Sequence, residues 1–208
     1  MCSFQTADKN YGMLLASVER LADHEALTRT RALVSLYSNC ALDIPVDLEK
    51  LVMLVEKAVD KKIKVEFVPL DDDGYTVPFS DGFSVKINSL RHPYRQRLTL
   101  CHEQGHILVS YTSDTTPRRK FFAEEERLCN EIAMHLLCPP EKLHGFLGRF
   151  RSLPYQLALF SKKQPELAKL EQLAERFEVP TRYLIRHIKK LFFDQKIKKI
   201  LSDFDRAS

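Results

Sequence analysis

No run of 18 apolar residues occurs anywhere in the 208-residue chain, so no segment reads as a membrane-spanning helix. The N-terminus, Met1 to Leu21, lacks a basic lead, an apolar run and a small-residue cleavage site, and is not expected to act as a secretory signal. There is no C-x-x-C pair among the five cysteines, Cys2, Cys40, Cys101, Cys129 and Cys138. Their odd number and scatter fit free thiols in a reducing compartment better than a disulfide framework, and the expected location is cytoplasmic. Internal repeats and low-complexity tracts are absent as well. What remains, 44% hydrophobic and 29% charged, is the composition of an ordinary globular protein.

The net charge of +4 is mild but uneven. From Arg182 onward there are eight Lys or Arg against three Asp, so the chain before it is nearly neutral. A basic tail can contact nucleic acid or an acidic partner, although a solvated helix end is the commoner meaning.

Helical periodicity marks two helices around Leu14 to Leu21 and Leu33 to Tyr37. Pro45, flanked by Asp43 and Asp47, reads as the start of a third, leading into Leu48, Leu51, Val52, Leu54, Val55 and Val59 on one face. The period then changes to two. Ile63, Val65 and Phe67 form a strand, Tyr75 to Val77 a short second one after the Asp71 to Gly74 turn, and Phe83, Val85 and Ile87 a third. These three predict a small antiparallel sheet. Helices follow over about 95–111 and 123–137, separated by a polar loop, and the remainder is helical pieces broken at Pro154, Pro165 and Pro180. The expected fold class is α+β: a small sheet beside a helical body in residues 1–150, with a C-terminal helical extension in 151–208.

The chemistry is concentrated in His102-Glu103-Gln104-Gly105-His106, an H-E-x-x-H sequence within a helix-period segment. Positions i and i+4 share a helix face, so both imidazoles can reach one ion. Zinc accepts neutral imidazole nitrogens, and Glu103 would stand near the open coordination position, where a carboxylate can take a proton from water. A carboxylate commonly completes such a set, and Glu126, 20 residues beyond His106 on the next helix, is the expected third ligand. Glu124 and Glu125 are rivals. The stripe of Leu128, Ile132, Leu136 and Leu137 places the buried side near Glu126, whereas Glu125, about 100° away, is expected to point elsewhere. Asn130, one turn beyond Glu126, is placed to hydrogen-bond a ligand histidine. His135 is expected to face away from the metal.

At these residues the chain resembles the ImmA/IrrE family of metallopeptidases. The family stretch R-x-R-F-T-x-A-H-E-x-G-H stands here as Arg95 to His106, and its second block, E-x-x-A-N-x-F-A-x-x-L-L-M-P, as Glu126 to Pro139. Among the departures are Cys101 and Cys129 for Ala, Ile132 for Phe, and Cys138 for Met. A thiol at Cys129 lies three residues from Glu126, but small buried cysteines are common core residues. The resemblance implies Glu126 as third ligand and a zinc endopeptidase that cleaves helix-turn-helix transcriptional repressors, an antirepressor. A His-His-Glu set also accepts manganese or another divalent metal.

Two questions stay open at this level. A zinc peptidase needs a donor for the oxyanion besides the metal, and Tyr94, Tyr111, His92, His144 and Tyr155 are all candidates. The segment Leu173 to Ile188, with Ala174, Val179 and Leu184 at buried positions, has the cadence of a helix-turn-helix, although Glu178 stands where the turn favours Gly. A helical hairpin packed on the body is the plainer reading. The alternative function is a metal-containing regulator that binds DNA weakly through this basic region, with the site structural or sensory.

Overall fold

Asp23 and Asp47 open the two helices that frame the N-terminal half. In the computed structural model, which describes residues 4–40, 43–110, 122–147 and 164–191, Asp23 accepts from the Ala26 amide at 2.7 Å and Asp47 from those of Glu49 and Lys50 at 2.9 and 3.2 Å. Each satisfies amides that a first turn leaves without partners. The helices are α1 (Phe4–Leu21), α2 (His24–Asn39) and α3 (Leu48–Val59). They lead into β1 (Lys62–Val68), β2 (Gly74–Phe79) and β3 (Gly82–Asn88). Then come α4 (Pro93–Ser110), α5 (Phe122–Leu137), α6 (Pro140–Leu147), α7 (Gln164–Phe177) and a last helix, α8, over 181–191. The α+β class is as expected. No helix among the described residues is long and apolar enough to cross a membrane.

The sheet departs from expectation. Its order is β1-β3-β2, with β1 parallel to β3 and β2 antiparallel to β3, so it is mixed, not antiparallel throughout. The β2–β3 connection is a tight hairpin, but residues 69–73 carry the chain from β1 across to the far edge, and β3 then returns between the two. Asn88 holds that crossing: its Nδ2 donates to the carbonyls of Leu70 and Asp72, and its Oδ1 accepts from the Leu90 amide at 2.9 Å. Side-chain periodicity reports which face a residue takes and not which strand lies beside it. Gly82 is required by the parallel pairing, because a Cβ there would lie 2.0 Å from the Lys62 carbonyl oxygen.

Leu98, Ile107 and Leu108 of α4 and Leu128, Ile132 and Leu137 of α5 are almost fully buried. They form one core with Val18, Leu33 and Leu51 of the first three helices and Val85 and Ile87 of β3. Tyr37 donates from α2 to the Leu136 carbonyl, and Arg29 Nε donates to the Leu108 carbonyl at 2.9 Å, so α2 is fastened to both α4 and α5. Each buried Leu or Ile of this kind contributes about 1.5–3 kcal/mol of transfer free energy.

The C-terminal helices meet the body. Ala174, Val179 and Leu184 are buried, and Glu178 adopts φ 52°, the left-handed conformation that Gly favours at a helix end. Val179 N–H donates to the Ala174 carbonyl and Glu178 N–H to that of Glu175, closing α7. Glu178 pairs with Arg97 at 3.2 Å, Arg95 donates to the Tyr183 hydroxyl, and the His187 ring lies 3.2 Å from the Cys138 carbonyl. Cys40, Cys101, Cys129 and Cys138 are free thiols, the last three buried. Tyr111, Tyr155, Cys2 and the polar loop lie outside the described residues.

Candidate metal centre

Gly105 decides how closely the two site helices approach. A Cβ there would lie 2.9 Å from Cys129 Cα, a distance real side chains do not show. Without one, α4 lies backbone to backbone on α5, and the first turn of α5 reaches the His102–His106 face.

Three donors converge at that point. His102 Nε2 and His106 Nε2 are 3.1 Å apart, and each is 3.1 Å from an oxygen of Glu126. All three ligand atoms lie within 4.8 Å of one another, and they form the single group among the described residues with the makings of a metal site. Cys129 is not in it. Burial pushes its thiol well above the ordinary range, with the charges of Glu125, Glu126 and Glu103 adding to the effect.

Glu125 does not point elsewhere. Its Oε1 lies 3.0 Å from His106 Nδ1, so Glu125 and Glu126 grip the two nitrogens of one ring. The expectation treated a helix position as a fixed bearing, whereas a Glu side chain in a first turn reaches across it. With Nδ1–H donated to Glu125, the tautomer is set and Nε2 carries the lone pair. Asn130 Nδ2 donates to the Glu126 carbonyl at 2.7 Å, and the same side chain hydrogen-bonds the His102 ring.

Glu103 is 7% exposed, in the wall beside these donors. Burial raises its carboxyl above the usual range, and the Thr76 hydroxyl, donating to Oε2 at 2.8 Å, opposes the rise. The two imidazoles diverge. Burial and then the neighbouring His106 charge lower His102 below its ordinary value. Burial opposes the charged form of His106 too, but the hydrogen bond it donates to Glu125 and the charges of Glu103, Glu126 and Glu125 raise it on balance. Two rings this close cannot both be protonated. A cation accepting both lone pairs and the carboxylate suits the set better than protons do, so the residues fit a divalent metal.

Thr76 and Glu125 are contacts that reading the sequence missed. Thr76 sits on the edge strand β2 and reaches a helix residue 27 positions away, with no local signal. Glu125 was visible as a rival of Glu126 for the ligand role, but its contact with His106 Nδ1 was not. Among the candidate oxyanion donors, His92 and Tyr94 pack edge to face on one another at 4.8 Å, and His144 is exposed on α6. His135 is buried, with Nδ1 against the Glu131 carbonyl and its ring 4.8 Å from His187.

Residues 60–189 match a peptidase family described as the IrrE N-terminal-like domain. The chain is 32% identical over 133 residues to the radiation response metalloprotease IrrE of Deinococcus radiodurans, covering 59% of this chain and 40% of that relative. The chain thus spans less than half the length of that relative. Among solved structures, a Mycobacterium tuberculosis transcriptional regulator aligns over 87% of this chain and 50% of its own, with a TM-score of 0.46 at 12% identity. A family match that takes in both site helices, the sheet and the helices behind them is specific, and the chain belongs to the IrrE N-terminal-like family of peptidases.

Proposed function

We propose that the protein is a zinc-dependent endopeptidase of the cytoplasm that cleaves a helix-turn-helix transcriptional repressor and so relieves repression. The observation that carries the hydrolytic part is the convergence of His102, His106 and Glu126 beside the buried carboxylate of Glu103. His102, His106 and Glu126 would hold the ion, which when bound supplies Lewis acidity toward the scissile carbonyl and an acidified water. Zinc suits the two imidazoles and one carboxylate, and manganese is the next candidate.

Glu103 takes the proton from the attacking water and passes it to the departing amine. Thr76 holds Glu103 in place while it does so. Glu125 fixes the His106 ring, and Asn130 fixes His102 and the Glu126 backbone. Among the described residues strand β2 pairs with β3 alone, so an extended segment added along its other edge would pass Thr76 and therefore Glu103. Tyr75, Val77 and Phe79 are exposed apolar side chains on that strand, available to contact apolar residues of such a segment. Folded proteins seldom offer an extended segment, but a repressor linker can open locally.

Elemental analysis and digestion test the reading together. Purified protein should carry about one divalent metal per chain. Glu103→Gln should retain it and lose proteolysis by about 10²–10⁴-fold, because an amide takes no proton from water. Glu126→Ala should lose both. Mass spectrometry of candidate repressors should show one or a few cuts, with general substrates such as casein barely touched. Indiscriminate digestion would remove the antirepressor claim and leave the peptidase. A metal-loaded chain with no proteolysis but salt-dependent binding to plain duplex DNA would favour the regulator instead.

A further inference from the structure

A cavity of about 330 Å³ lies between α1, α5 and α8, and its charge is lopsided. Arg20 comes from α1, Arg127 from α5, and Arg186 and Lys190 from α8. Glu131 is the single carboxylate in the lining, and it is already engaged: Oε1 accepts from Ser17 at 3.4 Å and Oε2 from Lys190. Among the described residues, none of the guanidiniums of Arg20, Arg127 and Arg186 has an ion-pair or hydrogen-bond partner. None of His102, Glu103, His106 and Glu126 lines this space, although Asn130, whose Nδ2 donates to the Glu126 carbonyl, stands in its wall.

Three unneutralised cations around one concavity repel each other. Low-dielectric walls concentrate their field, which raises the local concentration of anions. Guanidiniums also differ from ammonium groups in shape. Their planar forks match two oxygens of one phosphate or carboxylate at once. Arginines from three separate helices line this one concavity, so more than one element can contribute to holding an oxyanion, and this a single basic helix face does not do. The volume stands at the low end for small-molecule sites and is too small to admit a duplex. Tyr183, also in the lining, adds a neutral hydroxyl that can donate to a ligand.

We propose that this cavity is a binding site for a small phosphorylated anion, gripped by Arg20, Arg127 and Arg186. The proposal is independent of whether the metal centre is a peptidase site.

Calorimetric titration of the full chain with inorganic pyrophosphate, at low and raised salt, tests it. Saturable binding that weakens with salt is expected. Arg127→Ala with Arg186→Ala should weaken it by roughly tenfold or more for each arginine removed. Arg182→Ala, an exposed arginine on the same helix outside the lining, should bind as the parent does. Arg127 and Arg186 are both exposed, so the double variant should melt as the parent does. If it does not, Arg127→Gln and Arg186→Gln, taken singly, carry the test. No saturation at millimolar pyrophosphate, or an equal loss in Arg182→Ala, overturns the proposal. So does duplex DNA that binds through Arg127 and Arg186 and is not displaced by pyrophosphate.

Discussion

Gly105 and Cys129 touch backbone to backbone across the two site helices, and a Cβ on Gly105 would lie 2.9 Å from Cys129 Cα. The obstruction is main chain, which cannot swing aside. Gly105→Ala should therefore push α4 from α5, cost about 1–3 kcal/mol as overpacking does, and draw Glu126 away from the histidines. Urea unfolding should report the stability loss and a chelator competition the weaker metal binding. A variant as stable as the parent would show that the helices can part at no cost.

Glu125 should behave as a holder of His106 and not as a bystander. Glu125→Gln is expected to lower metal affinity by about 10–100-fold, since a ligand histidine would lose the carboxylate that fixes its tautomer. Glu124→Gln, one residue earlier and exposed, should leave affinity unchanged. Equal effects from the two would mean that only the summed charge at the start of α5 matters.

Thr76→Val keeps the side-chain shape and removes the hydroxyl that donates to Glu103. A hydrogen bond to a charged group contributes about 1.5–3 kcal/mol, so turnover should fall roughly ten- to a hundredfold. Metal content should not change, because Thr76 is not one of the three donors. Loss of metal alongside loss of turnover would assign the strand a structural part only. Thr76→Ser, which restores the hydroxyl, should recover most of the activity.

His135 and His187 give the fold a sensitivity to acid that is remote from the metal. Burial lowers both imidazoles below the ordinary value; the adjacent His135 and Lys190 charges lower His187 further, and Lys190 lowers His135 against the pull of Glu131. The unfolded chain takes up protons below about pH 6.5 while the folded chain does not. Stability is thus fully present above that pH and lost as pH falls toward the depressed folded values, by up to about 1.4 kcal/mol per pH unit for each group. In melts between pH 7.5 and 5.5, His187→Gln should show a shallower fall than the parent. Parallel curves would mean that His187 is protonated without penalty in the folded state.

The pairing of His102 with His106 was legible in the sequence because its geometry is local: four residues along one helix put both on one face whatever the rest of the chain does. Glu126 could be favoured for a similar reason, since the apolar residues of α5 mark its inward side. The start of α3 was legible to within a few residues: Pro45 marked it, and the structure places the cap at Asp47. On β2 the sequence marked a short strand but not which face it buries: Tyr75, Val77 and Phe79 are 40–46% exposed, and Thr76 is the residue turned toward the site. An edge strand with one covered face can leave its apolar side to solvent. The order β1-β3-β2, the second carboxylate on His106, the Thr76–Glu103 contact and the arginine-lined cavity were decided by the tertiary structure. Each joins elements far apart in the chain, and only the packing of α4 on α5, with α1 and α8 behind it, brings those side chains within reach.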